Sequence, residues 1–250
     1  MRRAYPVSRM TSRLLGMFLL LVPAAESVGI NSFDSEEQFG KWMSYYYLAP
    51  QPERLSSAIG YYVGSALYEK QNTRMLMATF FASLFQQVAG LLREAYEHIA
   101  QEGSEDAKIF FLNVLWVVDT EVSRGLLAKA KMDWTAEPVQ RILTRMEGHR
   151  PDHLLEDSVD SPADLDRLWA MFLATGDAAP VRKIISVLCL LEEGHGEEII
   201  VGGAARWSLT SNARQHKRVY EICQQELQSS EGTTKSLLEQ VLAEADKKER

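Results

Sequence analysis

Apolar residues recur at spacings of three and four along almost the whole chain, in runs that open on a capping residue and close on glycine or proline. No stretch alternates as a half-buried strand requires, so the pattern restricts the chain to helices packed on helices. Asp34-Ser-Glu-Glu37 reads as a capping box; Phe39, Trp42, Met43 and Tyr46 form the stripe behind it, and Pro50 ends the run. Pro52 opens the next helix, where its missing N–H costs nothing, and Leu55, Ile59, Tyr62, Val63 and Ala66 continue an apolar face. Ser104 caps a run through Ile109, Leu112 and Trp116, and Thr135 with Pro138 opens one carrying Val139, Ile142, Leu143 and Met146 up to Gly148. Ser161-Pro-Ala-Asp164 combines a cap, a first-turn proline and an acid at the positive helix end, ahead of Leu165, Leu168, Trp169 and Phe172. Gly176 stops that helix, Asp177 caps a successor running through Val181, Ile184, Ile185, Leu188 and Leu191 to Gly194, and helices near 197–213, 215–229 and 233–248 complete the chain.

Two stretches organise this series. From Met75 to Leu92 there is no charge, which is long enough to cross a bilayer, but Thr79, Ser83, Gln86, Gln87 and Gly90 make it too polar; the spacing predicts one central core helix. Residues 149–160 are acidic, contain Pro151 and lack periodicity, so they read as a connector between an N-terminal helical lobe, 28–148, and a C-terminal lobe, 161–250, packed on it. The hairpin around Phe39, Trp42, Tyr46, Pro52 and Ile59 is faintly echoed by Leu165, Leu168, Phe172, Pro180 and Ile184. The expected fold is therefore all-α: an array of antiparallel helical hairpins, α-solenoid-like or an irregular helical bundle.

The N-terminus carries a different message. Arg2, Arg3, Arg9 and Arg13 precede an uncharged apolar run from Leu14 to Ala25, the layout of a secretory signal peptide over 1–27 with Ala25 and Ser27 at the small-residue positions of a cleavage site. Twelve apolar residues fall short of the ~20 that span a bilayer. The competing reading is an uncleaved signal that tethers the protein to the inner membrane, its only membrane contact; a mitochondrial presequence ranks third, since the Leu/Val block is not amphipathic. A periplasmic or secreted location follows. The net charge is −7, and removing residues 1–27 takes away four basic residues and one acid, which leaves −10. With no dense Lys/Arg patch in the mature chain, nucleic acid is not an expected partner; the cluster Arg214-Gln-His-Lys217-Arg218 reads as a solvated helix start.

Few residues carry a recognisable catalytic or metal-binding spacing. There is no His-Glu-x-x-His, no nucleophile elbow, and no phosphate-binding glycine loop. Glu192-x-x-His195 has the spacing of a di-iron helix but occurs once and is interrupted by glycine, and Pro151 separates His149 from His153. No catalytic residue, metal site or cofactor is assigned. Cys189 and Cys223 either bridge in an oxidising compartment or serve as small buried hydrophobes. Gly202 and Gly203, beside Ala204 and Ala205, suit a close helix–helix approach.

Two groups of residues are candidates for partner contact. Trp42, Tyr45, Tyr47 and Tyr61 belong to an aromatic cluster that wraps more than one side of its helix, and Arg206, Trp207, Asn212 and Arg214 give an unusually polar face beside small residues. Core packing and backbone satisfaction are the competing roles. The expectation is an exported protein-interaction or scaffold module of a bacterial envelope, with a protein as partner. The alternative is a small-molecule- or metal-binding helical bundle, including an enzyme without a local signature. A long aromatic groove would favour the first and a closed pocket with convergent acid or imidazole groups the second.

Overall fold

The computed structural model describes residues 33–247 apart from position 71, and the expected signal segment lies outside them. The chain is all-α, with no strand among the described residues. Its helices are α1 (Glu36–Ser44), α2 (Leu55–Gly64), α3 (Ala66–Glu69), α4 (Thr73–Gln87), α5 (Ala89–Glu102), α6 (Glu105–Val118) and α7 (Glu121–Asp133). They continue through α8 (Glu137–Met146), α9 (Pro162–Thr175), α10 (Ala178–Ser186), α11 (Leu190–Glu193), α12 (Glu197–Gln215), α13 (Lys217–Ser229) and α14 (Gly232–Ala245). Short 3₁₀ turns at Tyr46–Leu48 and Pro52–Arg54 link α1 to α2.

Local chemistry fixes many of the boundaries. Ser104 accepts from the N–H of Ala107 at the start of α6, and the Asp177 carboxylate accepts from that of Ala179 at the start of α10. Ser161 and Asp164 cap α9 reciprocally, and Gly176 ends it at φ 69°, a left-handed conformation glycine adopts without strain. The first cap is shifted by one residue from the expected box: Ser35 accepts from Gln38 N–H, and the Gln38 side chain accepts from Asp34 N–H.

Two expectations about continuity fail. The uncharged run from Met75 to Leu92 is not one helix, because Val88 leaves helical geometry (φ −138°, ψ 89°) between α4 and α5. No helix among the described residues is long and apolar enough to cross a membrane. The run from Asp177 to Gly194 likewise breaks after Ser186, and the short α11 then folds back over α12. Gly202 permits that crossing: a Cβ there would lie 2.1 Å from the backbone nitrogen of Leu191.

Two buried clusters result. The first runs from Phe33 to Leu143 and holds the fully buried rings of Phe39, Tyr62, Phe80, Phe81, Phe85, Phe110 and Phe111. The second runs from Leu154 to Leu242 through α9, α10, α12, α13 and α14. α9 belongs to both. Leu165, Leu168, Trp169 and Phe172 face the second cluster, whereas Ala170 and Ala174 lie in the first, where α9 runs beside α4. Segment 149–160 is tied down by Leu154 and Val159, which are buried in the second cluster, and by the Asp152–Arg167 ion pair (2.8 Å), while an Arg150–Asp157 pair (2.9 Å) braces it internally.

Candidate functional site

Because α9 is apolar on two sides, the polar groups it carries are drawn into the seam between the clusters. The stripe Asp166, Trp169, Ala170 and Leu173 forms one wall of a cavity of about 70 Å³. Met43 and Ser44 from the last turn of α1, with Leu76 from α4, form a second wall. Ser211, Asn212 and Gln215 from the end of α12, followed by its C-cap His216, close the third.

His216 is buried, 3% exposed, beside Tyr45, Tyr47 and Phe172 at ring-centroid distances of 5.2, 5.8 and 6.1 Å. Its Nδ1 shares a 3.2 Å hydrogen bond with the Tyr47 hydroxyl. Burial without a carboxylate partner pushes the imidazole down to about 4, so the ring is neutral near pH 7. Asp166 is half-buried in the same cavity and makes no hydrogen bond or ion pair among the described residues. Desolvation raises its carboxyl to about 6. The indole N–H of Trp169, on the same wall, is buried and lacks a protein acceptor. An acid and an imidazole displaced in opposite directions within one cavity are groups whose protonation responds to whatever enters.

On the opposite side of α9, Arg167 borders a second cavity of about 170 Å³ with Thr79, Ser83, Gln86 and the 152–156 segment. Its guanidinium is committed: Nε donates to Thr79 Oγ1 at 3.2 Å and Nη1 to Asp152 Oδ2 at 2.8 Å, with Asp164 at 3.8 Å. Asp119, in the left-handed region at φ 43°, pairs with Arg124 (2.8 Å) and lies 3.4 Å from His153 Nε2. The Asp152 and His153 contacts hold segment 149–160 in place.

The residues singled out in the sequence scatter across these features. Tyr45, Tyr47 and Asn212 converge around His216 and the seam cavity. Trp42 is buried against Phe33, Tyr46 and Phe80 in the first cluster, whereas the half-buried Tyr61 leans on Phe33 and Phe39 at its edge. Arg206 pairs with Glu244, and Arg214 donates to the Glu244 carbonyl at 2.7 Å, clamping α14. Trp207 is 50% exposed, and Arg214 is exposed as well despite its bond to Glu244. The bridge left open between Cys189 and Cys223 is not formed. Both are free thiols, with Cys189 Sγ turned toward the Ser186 carbonyl at 3.8 Å and Cys223 fully buried in the second cluster.

Asp166 and His216 were not singled out. His216 sits in a basic sequence cluster, yet it falls three residues before Val219 and shares that residue's buried side of α13. Asp166 interrupts a helix that is apolar on nearly every side, and that near-continuity was the available signal for a buried acid. No protein-family model matches the sequence, and neither a curated protein nor a solved structure matches it.

Proposed function

We propose that this chain is an exported, all-α protein-interaction module of the bacterial envelope whose contact surface is the outer face of α12. The observation that carries this reading is apolar exposure on a single helix: Ile200 is 60% and Trp207 50% exposed, two turns apart, with Ile199 at 44% beside them. An exposed tryptophan is a frequent binding anchor. The clamps from Arg206 and Arg214 to Glu244 hold the flanks of Trp207 in place, so little ordering entropy is lost when a partner docks. Export rests on the basic and apolar N-terminal segment.

A photocrosslinking residue at position 207, with a control at the exposed Met132 of α7, tests the contact in the source organism. One adduct specific to position 207, lost when Ile200 becomes Asp, is the expected result; matching patterns from both positions would reject the surface. N-terminal sequencing of the exported form is expected to begin near Val28, and an intact Met1 form confined to the membrane would replace export by tethering. A second reading, a small-molecule binder, is favoured by one observation, the seam cavity that carries Asp166 and His216.

A further inference from the structure

We propose that the seam cavity between α9 and α12 binds a primary alkylammonium group, with the Asp166 carboxylate as its counter-ion. This deepens the small-molecule reading and is independent of the α12 contact, so either can fail without the other.

The formal charge on the cavity walls has one sign, beside one orphan donor, the Trp169 indole N–H. Among the described residues Asp166 is the only formally charged side chain on its walls, since His216 is held neutral by burial, and no described lysine or arginine lines it. Two helices end there: α1 contributes Met43 and Ser44 from its last turn, and α12 contributes Ser211, Asn212 and Gln215 from its own. Each helix C-terminus carries the negative end of its dipole, which favours a cation. The side-chain amides add oxygens. Asn212 Nδ2 donates to the Ser208 carbonyl at 2.9 Å, and Gln215 Nε2 donates to Ser211 Oγ at 3.3 Å, so the Oδ1 and Oε1 atoms remain as acceptors.

The other surfaces decide which cation. Met43, Leu76, Ala170, Leu173 and the Trp169 ring present mostly hydrocarbon, which offers a hydrated metal ion no ligand on that side. No cluster of three His, Cys, Asp or Glu side chains among the described residues offers a metal an alternative shell. An alkylammonium matches both parts: its chain lies on the hydrocarbon wall, its head meets Asp166, and an indole face attracts the adjacent charge. At about 70 Å³ the cavity exceeds several-fold the ~10–15 Å³ that one water needs, which is room for a short aminoalkyl group. An anion would meet an unpaired carboxylate with no compensating charge. A bound ammonium also relieves the cost of burying Asp166 ionised.

Such a group is supplied either by a free small amine or by a lysine side chain of a bound protein. The probes are n-butylammonium chloride and Nα-acetyl-lysine N-methylamide, with n-butanol and sodium butyrate as the neutral and oppositely charged controls, added to the full chain at neutral pH. Saturating n-butylammonium is expected to raise the thermal midpoint by a few degrees, with no rise from either control. Asp166→Asn, whose helical circular dichroism is expected to be unchanged, should weaken n-butylammonium about tenfold or more in calorimetric titration. Binding of both amines supports a lysine source, and binding of n-butylammonium alone supports a free amine. An equal response to n-butanol, an unchanged affinity in Asp166→Asn, or no response to either amine overturns the proposal.

Discussion

Replacing Asp166 by Asn should stabilise the protein at neutral pH and expose an acid sensitivity that the native chain conceals. Burial raises this carboxyl from its ordinary 3.8 to about 6, and at about 1.36 kcal/mol per pH unit the ionised group costs the fold roughly 3 kcal/mol at pH 7. Between those two values the folded state holds a proton that the unfolded chain has lost, so stability falls as pH rises through the window and the cost is complete above about 6. His216 has the opposite slope. Its imidazole is lowered from 6.5 to about 4, the unfolded chain takes up the proton first on acidification, and about 3 kcal/mol present above 6.5 is lost as pH falls to about 4. The two terms nearly cancel between about pH 4 and 6 in the native chain. Urea unfolding followed by circular dichroism across that range is expected to show Asp166→Asn about 2–3 kcal/mol more stable than the native chain at pH 7, with the gap closing toward pH 4. His216→Gln should lose the Tyr47 hydrogen bond and be less stable at pH 7, yet recover relative to the native chain in acid. A gap between Asp166→Asn and the native chain that does not change with pH would mean that Asp166 is solvated, and would refute its placement in the seam.

Gly202→Ala should cost about 1–3 kcal/mol or more in chemical denaturation, because the new methyl meets the α11 backbone at 2.1 Å. Gly203→Ala, whose nearest neighbour is a Leu191 methyl at 3.7 Å, should be neutral or stabilising by up to ~1 kcal/mol through helix propensity; equal losses would show that α11 does not cross at Gly202. A thiol reagent should label the half-buried Cys189 in the native protein but reach Cys223, whose thiol burial raises to about 12, only on unfolding. No titratable thiol in denaturant would indicate a bridge instead. Asp152→Asn should destabilise more, by about 2–4 kcal/mol, than Arg167→Met at about 1–2 kcal/mol, because the 65% exposed carboxylate regains water while the buried guanidinium cannot. The reverse order in denaturation would place Arg167 in solvent.

Helix starts and stops written in local chemistry were legible from the sequence. Ser104, Ser161 with Asp164, Gly176 and Asp177 each act within one turn of themselves and appear as read. The breaks at Val88 and after Ser186 carry no glycine, proline or cap at the break itself; they arise where tertiary packing redirects the chain, which periodicity within a window does not register. The site was less legible for the same reason. Tyr47 and Asn212 were singled out for composition and do meet near the seam, but His216, the residue that joins them, looked like part of a solvated basic run. Trp42 and Tyr61 were ambiguous because an aromatic ring suits a core and an interface equally well, and only the neighbours supplied by α4 and α1 decide how far each is buried.

The seam exists because α9 is shared, with Ala170 and Ala174 in one buried cluster and Leu168 and Phe172 in the other. Native-state amide hydrogen exchange in increasing denaturant measures that sharing most directly. The expected result is that core amides of α4, α9 and α12 merge into one opening reaction with a common free energy. Separate opening of α12–α14 while α4 and α6 stay protected, with α9 following only one of them, would contradict a common spine and the site built along it.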